Sequence, residues 1–283
     1  MEKLLVSDYD DTIKTSNVFI TKLNFNAIKK FRENGNKFVV ASGRDYKSLS
    51  KALSFYNCEY DGLICNDGSV GFDSNGKVIY EQKLDENLVN NLSYYFDNNG
   101  NKYIYHYQMY NSFGYTSTNK NIIEFVIVPK LFKNIKPLIK EIQTYFPDLH
   151  INKFNNAIYI RKNYSKSDGI KIISKNLNVL KENIYTIGDW KNDYEMIRDY
   201  NGYNVFFSHP SLYKVSDGTV TSVSHLVKKL KNKWFFFTIH LFLFQIDYYI
   251  NYNNNLFYLI ILHDYLVQLY YHYPLLILNQ HLL

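Results

Sequence analysis

A chain of 283 residues, 46% hydrophobic and 20% charged, is long enough for about two domains with a sizeable core and does not need staples to fold. Two cysteines, Cys58 and Cys65, are too few for a disulfide framework, and Met1-Glu2-Lys3 runs directly into strand-like sequence, so a reduced, cytoplasmic setting is expected. The formal net charge of +6 suits anionic or phosphorylated partners, but the lysines are scattered rather than gathered in a stripe, which argues against nucleic acid.

The first predicted element begins at Leu4, in the stretch LLVSDYDDT. Leu4, Leu5 and Val6 form the apolar run of a strand buried on both faces, and Asp8, Asp10 and Asp11 follow at once. In an open α/β sheet, ligands bind beyond the carboxyl ends of the strands, so these carboxylates fall where chemistry is usually placed. Taken alone, the segment also reads as a polar turn after a first strand. Asn24 to Asn34 then has helical spacing through Phe25, Ile28 and Phe31, with Gly35 placed to end it. A second strand, Lys37 to Ala41, ends in Ser42-Gly43-Arg44-Asp45. A hydroxyl and a glycine there suit phosphate oxygens, while Ser42 or Asp45 equally suits a helix N-cap.

Tyr46 to Tyr56 reads as a helix, Gly62 to Cys65 as a strand, Asn66-Asp67-Gly68 as a turn, and residues 70–80 as two strands joined by a tight turn. From about 84 to 164 the pattern becomes mixed, with helices at Leu88 to Phe96 and Leu131 to Phe146 and strands at Lys102 to Tyr107, Ile122 to Val128 and Ala157 to Arg161. Tyr103, Tyr105 and Tyr107 alternate on one strand face, which suggests packing, with a place in a pocket wall as the alternative. The α/β pattern resumes at Lys166, which opens an amphipathic helix. Ile184 to Ile187 is a strand running into Gly188-Asp189-Trp190-Lys191-Asn192-Asp193, and Tyr203 to Phe207 and Ser222 to Lys231 supply a last strand and helix. The expected organisation is a discontinuous Rossmann-like core over 1–82 and 165–233, of doubly wound α/β class, with an inserted α+β cap over 83–164.

Residues 234–283 are of another kind, without Gly, Ala, Lys, Arg or Glu and with Asp247 and Asp264 as the only formal charges. The run from Trp234 to Phe244 is short of the roughly 20 residues a spanning helix needs. Lys228, Lys229, Lys231 and Lys233 would suit a membrane-surface anchor. An extension from an AT-rich reading frame, outside the globular fold, is preferred, so membrane contact is not favoured.

In order, the chain presents Asp-x-Asp-x-Thr after one strand, Ser42 after another, a lysine opening a later helix, and Gly-Asp-x-x-Asn-Asp after a later strand. Over residues 1 to 230 this set resembles the haloacid dehalogenase superfamily of phosphohydrolases, specifically its Cof-type branch. The resemblance implies a phosphatase of small phosphorylated metabolites working through an aspartyl-phosphate, with Asp8 as nucleophile and Asp10 as general acid and base. It implies Mg²⁺ at Asp8, Asp10 (through its carbonyl), Asp189 and Asp193, and phosphate contacts from Thr12, Ser42, Gly43, Lys166 and Asn192. Ser208-His209-Pro210 and Trp190 depart from the family's usual residues, and Trp190 is expected to narrow the entrance. A mutase, or a phosphate-ligand sensor tethered by the tail, are the rival functions. Neither the substrate nor the oligomeric state is legible.

Overall fold

The structure, a computed structural model, describes residues 2–98, 102–130, 134–154 and 156–231. The tail expected over 234–283 lies outside the described residues, as do positions 131–133 of the helix expected from Leu131.

An eight-stranded sheet draws its strands from two stretches of the chain, one before and one after the second sheet. Its strands are β1 (Leu4–Ser7), β2 (Lys37–Ala41), β3 (Gly62–Cys65), β4 (Val70–Asp73), β5 (Val78–Glu81), and, after a second sheet described below, β11 (Ile184–Gly188), β12 (Asn201–Val205) and β13 (Gly218–Val220). The order is β13-β12-β11-β1-β2-β3-β4-β5, parallel as far as β3 and antiparallel beyond it. Strand β1 sits between β11 and β2, and Leu4, Leu5 and Val6 are fully buried, as an apolar run covered on both faces requires. The doubly wound α/β class expected from the strand and helix alternation is the observed one.

Helices α1 (Val18–Glu33), α2 (Tyr46–Phe55), α5 (Lys166–Asn176), α6 (Tyr194–Asp199) and a last helix over 223–231 complete this part, while α3 (Glu86–Asn98) and α4 (Lys136–Tyr145) belong with the second sheet. Helix α1 starts at Val18 rather than Asn24. The Asn17 side chain accepts the amides of Phe19 and Ile20 at 2.9 and 3.2 Å, capping a first turn whose Val18 and Phe19 are exposed and so leave no apolar stripe. Helix α4 starts at Lys136 because Pro137 fits a first helical turn and not an interior one.

Between β5 and α5 the chain builds an antiparallel sheet from β6 (Ile104–Asn111), β7 (Gly114–Thr116), β8 (Glu124–Pro129), β9 (Leu149–Phe154) and β10 (Ala157–Lys162), ordered β7-β6-β8-β10-β9. The edge strands β7 and β9 were not expected: one has three residues, and the other mixes His150, Asn152 and Lys153 into its pattern. One face packs Met109, Phe125, Ile127, Ile158 and Ile160 with Leu92 and Phe96 of α3 and Leu138 and Ile142 of α4. Tyr103 and Tyr107 join this packing, as expected, and Tyr105 is exposed, the register shifting between Ile104 and His106. The opposite face is polar. Register sets Tyr110, Glu124, Arg161 and His150 side by side across four strands. Both sheets lie within one compact unit, Met1–Lys228.

Candidate active site

Neighbouring strands β1 and β11 end together, and the residues after them meet. The Asp8 amide donates to the Ile187 carbonyl at 2.9 Å, fixing the start of one acidic loop against the end of the other strand. Gly188 makes the second loop possible, since a Cβ there would overlap the Asp193 carboxylate. Asp193 Oδ2 folds back to accept the amides of Asp189 and Trp190 at 2.9 and 3.0 Å.

Lys166 enters from the first turn of α5, whose Ser165 and Asp168 form a reciprocal cap. The expectation for an isolated lysine at a helix start is exposure, yet its side chain is 0% exposed. Its Nζ donates to Asp8 Oδ1 at 2.6 Å and to Asp193 Oδ1 at 2.7 Å. Burial opposes its charge, but Asp193 and Asp8 outweigh burial and hold the ammonium more strongly protonated than usual. The carboxylates outnumber it. Burial lifts Asp8 well above the ordinary range, against the pull of Lys166, and burial together with Asp193 raises Asp189 to about 6.

Oxygens of Asp8, Asp189 and Asp193 lie within 4.8 Å of one another. Three clustered acids with one ammonium leave a surplus of negative charge in a buried place, and an all-oxygen donor set of this size fits a hard divalent cation. Three of the four expected metal-binding residues are thus brought together.

The fourth, Asp10, is expected to reach the metal through its carbonyl, which leaves its carboxylate for another partner. Asp10 gives its carboxylate to Arg44, whose Nε and Nη2 each lie 2.7 Å from one oxygen, with the guanidinium 5.0 Å from the Tyr9 ring centre. Thr12 is fully buried and donates to Asp189 Oδ1 at 2.8 Å, so in this arrangement its hydroxyl supports an acid of the cluster. Ser42 is buried with Oγ accepting the Arg44 amide at 3.2 Å, and Asp45, not Ser42, caps α2. Gly43 stands where a Cβ would come within 3.1 Å of Asp67 Oδ1. Asn192 donates to that same oxygen at 2.8 Å. Trp190 is half-exposed with its ring edge-on to His209, whose amide donates to the Asp189 carbonyl at 2.7 Å. His209 is therefore a loop support.

Asp67 was missed from sequence. It sits in left-handed backbone at φ 51°, between Asn66 and Gly68, and also accepts Arg161 Nη2 at 3.0 Å. Burial would raise its carboxyl, but Arg161, Lys166 and Asn192 hold it below the ordinary value. Asn-Asp-Gly was readable as a turn, but the arginine that makes its carboxylate useful lies 94 residues away. The grip of Arg44 on Asp10, 34 residues away in the chain, had no local signal.

Residues 5–126 and 116–225 match the sequence profile of the haloacid dehalogenase-like hydrolases. A Buchnera aphidicola protein (subspecies Schizaphis graminum) named "Putative phosphatase" is 27% identical over 223 residues, covering 70% of this chain and 81% of its own. Among solved structures, TM0651 from Thermotoga maritima superposes with a TM-score of 0.71 at 18% identity, over 81% of this chain and 97% of its own. BT4131, described as a HAD subclass IIB sugar phosphatase, gives 0.63 at 18% identity, over 81% and 98%. With its profile matched from strand β1 to the last helix, this chain belongs to the haloacid dehalogenase-like hydrolase family, in its Cof-type branch.

Proposed function

We propose that the protein is a Mg²⁺-dependent phosphoric monoester hydrolase acting on small phosphorylated metabolites of the sugar phosphate, pyridoxal phosphate or flavin mononucleotide type. The observation that carries this reading is the convergence of Asp8, Lys166, Asp189 and Asp193, from three separate places in the chain, within hydrogen-bonding or metal-binding reach of one another.

Asp8, Asp189 and Asp193, with the carbonyl of Asp10, would hold the cation. Bound Mg²⁺ supplies positive charge that offsets repulsion between a carboxylate and a phosphate dianion. An Asp8 oxygen forms a bond to phosphorus while the bond from phosphorus to the leaving oxygen breaks, giving an aspartyl-phosphate. Asp10 gives its proton to the leaving oxygen, then takes one from the water whose oxygen attacks phosphorus and releases Asp8. For either transfer Asp10 must leave Arg44, whose guanidinium fork occupies both of its carboxylate oxygens. Lys166 balances charge on the transferring phosphoryl group, and Ser42, Gly43 and Asn192 contact its oxygens, with Thr12 steadying Asp189.

In this reading residues 83–164 act as an inserted cap over a core formed by 1–82 and 165–233, and the polar face of the second sheet selects the leaving group. Two free, buried or half-buried thiols suit work in the reducing cytoplasm. No helix among the described residues is long and apolar enough to cross a membrane. A panel of sugar phosphates, pyridoxal phosphate and flavin mononucleotide, assayed for phosphate release with Mg²⁺, tests the substrate class. Turnover of at least one is expected, and none turned over would reject it.

A further inference from the structure

Arg161 is buried on the polar face of the second sheet and takes no part in the chemistry just described. Its Nη1 donates to Glu124 Oε1 at 3.2 Å and its Nη2 to Asp67 Oδ2 at 3.0 Å. Glu124 Oε2 accepts Asn66 Nδ2 at 2.9 Å, and Asp67 Oδ1 accepts Asn192 Nδ2 at 2.8 Å. A continuous chain of hydrogen bonds therefore runs from two strands of the second sheet, through the turn after β3, to the loop that carries Asp189 and Asp193.

Buried ion pairs are weak sources of stability, because apolar side chains of similar volume serve as well or better, and their better-attested use is to specify one arrangement. Here the arrangement fixed is that of Asn192. Its amide NH₂ is anchored on one carboxylate oxygen, and the other oxygen of that carboxylate is held by Arg161, which is 3% exposed. The Asp67 amide donates to the Ser42 carbonyl at 3.1 Å, so the same turn also touches the strand end that carries Ser42.

We propose that Arg161 is a positioning residue for phosphate binding and turnover: through Asp67 it sets Asn192 and the end of β2, so the site is complete only when the second sheet is seated on that turn. This rests on the phosphatase reading above and adds to it a group on the second sheet that acts without touching the substrate.

The test compares the full-length wild type with Arg161→Met and Arg161→Lys in two measurements: affinity for inorganic phosphate in the presence of Mg²⁺, by calorimetry, and kcat on an aryl phosphate. Expected for R161M is a phosphate Kd raised at least about fivefold and a kcat lowered at least about tenfold per folded molecule, with R161K recovering part of both. A purely structural tie would lower the melting temperature and leave phosphate affinity of the folded protein unchanged, and that result would overturn the proposal. Should R161M not fold, the neutral triple variant D67N/E124Q/R161Q leaves no buried charge unpaired. Wild-type phosphate affinity and kcat in the triple variant would overturn the proposal equally. A wild type that binds phosphate but hydrolyses nothing would contradict the phosphatase reading alone, since the Kd comparison still decides the role of Arg161.

Discussion

Arg44 holds both carboxylate oxygens of Asp10, from Nε and Nη2, at 2.7 Å each. Both carboxylate oxygens of the residue assigned proton transfer to a leaving oxygen are thus occupied in this arrangement. Replacing Asp10 by Asn is expected to cost roughly 10²- to 10⁴-fold in kcat on an alkyl phosphate, and clearly less on a nitrophenyl ester, whose leaving oxygen needs little protonation. Equal losses on both esters would remove Asp10 from the proton-transfer role. Both partners of the pair are partly exposed, so Arg44→Met is expected to change stability by about 1 kcal/mol or less in denaturant unfolding.

Lys166 is the only cation that donates to Asp8 and Asp193 among the described residues. Lys166→Met strands two buried carboxylates, and a loss of about 3–5 kcal/mol in denaturant unfolding without metal is expected. A loss below about 1 kcal/mol would show that the ammonium is dispensable to the fold.

Burial lifts Glu124 to about 7, against the pull of Arg161, from an ordinary value of 4.5. Such an acid binds more protons folded than unfolded between those two values, so its contribution to stability falls as pH rises from about 4.5 to 7. Below that window the burial costs little, and above it the full penalty is present. Glu124→Gln should flatten the dependence of melting temperature on pH across this window. Parallel curves for variant and wild type would contradict the assignment.

Gly68 has φ 106°, and a Cβ there would overlap the Ser165 carbonyl, one residue before Lys166. Gly68→Ala is expected to cost more than about 1 kcal/mol and to reduce turnover by shifting the lysine. Unchanged melting and activity would show that the turn has room to give.

The parts of this molecule legible in the sequence are those whose signal is local. The Leu4–Val6 run announced a strand buried on both faces, and the acids after β1 and β11 are the ones the structure clusters. The order of four motifs then identified the family before any side chain was placed. What escaped depends on distance in the chain. The burial of Lys166 is set by acids 158 and 27 residues away, and the pairing of Asp67 with Arg161 spans 94. Glu124 and Arg161 sit at the ends of apolar strands, EFVIVP and AIYIRK, where an end charge ordinarily means solvent; only the antiparallel register of β8 and β10 brings them together. Strands β7 and β9 were hidden by shortness and polarity, and the start of α1 by exposed apolar residues in its first turn.

The central claim is that Asp8 attacks phosphorus. Its most direct measurement is phosphate release from an aryl phosphate by the wild type and by Asp8→Asn, with Mg²⁺ and with the metal chelated. Expected is release by the wild type that chelation abolishes and that the variant lowers by about 10³-fold or more. Release by the wild type that is indifferent to metal, or undiminished release by Asp8→Asn, would contradict it.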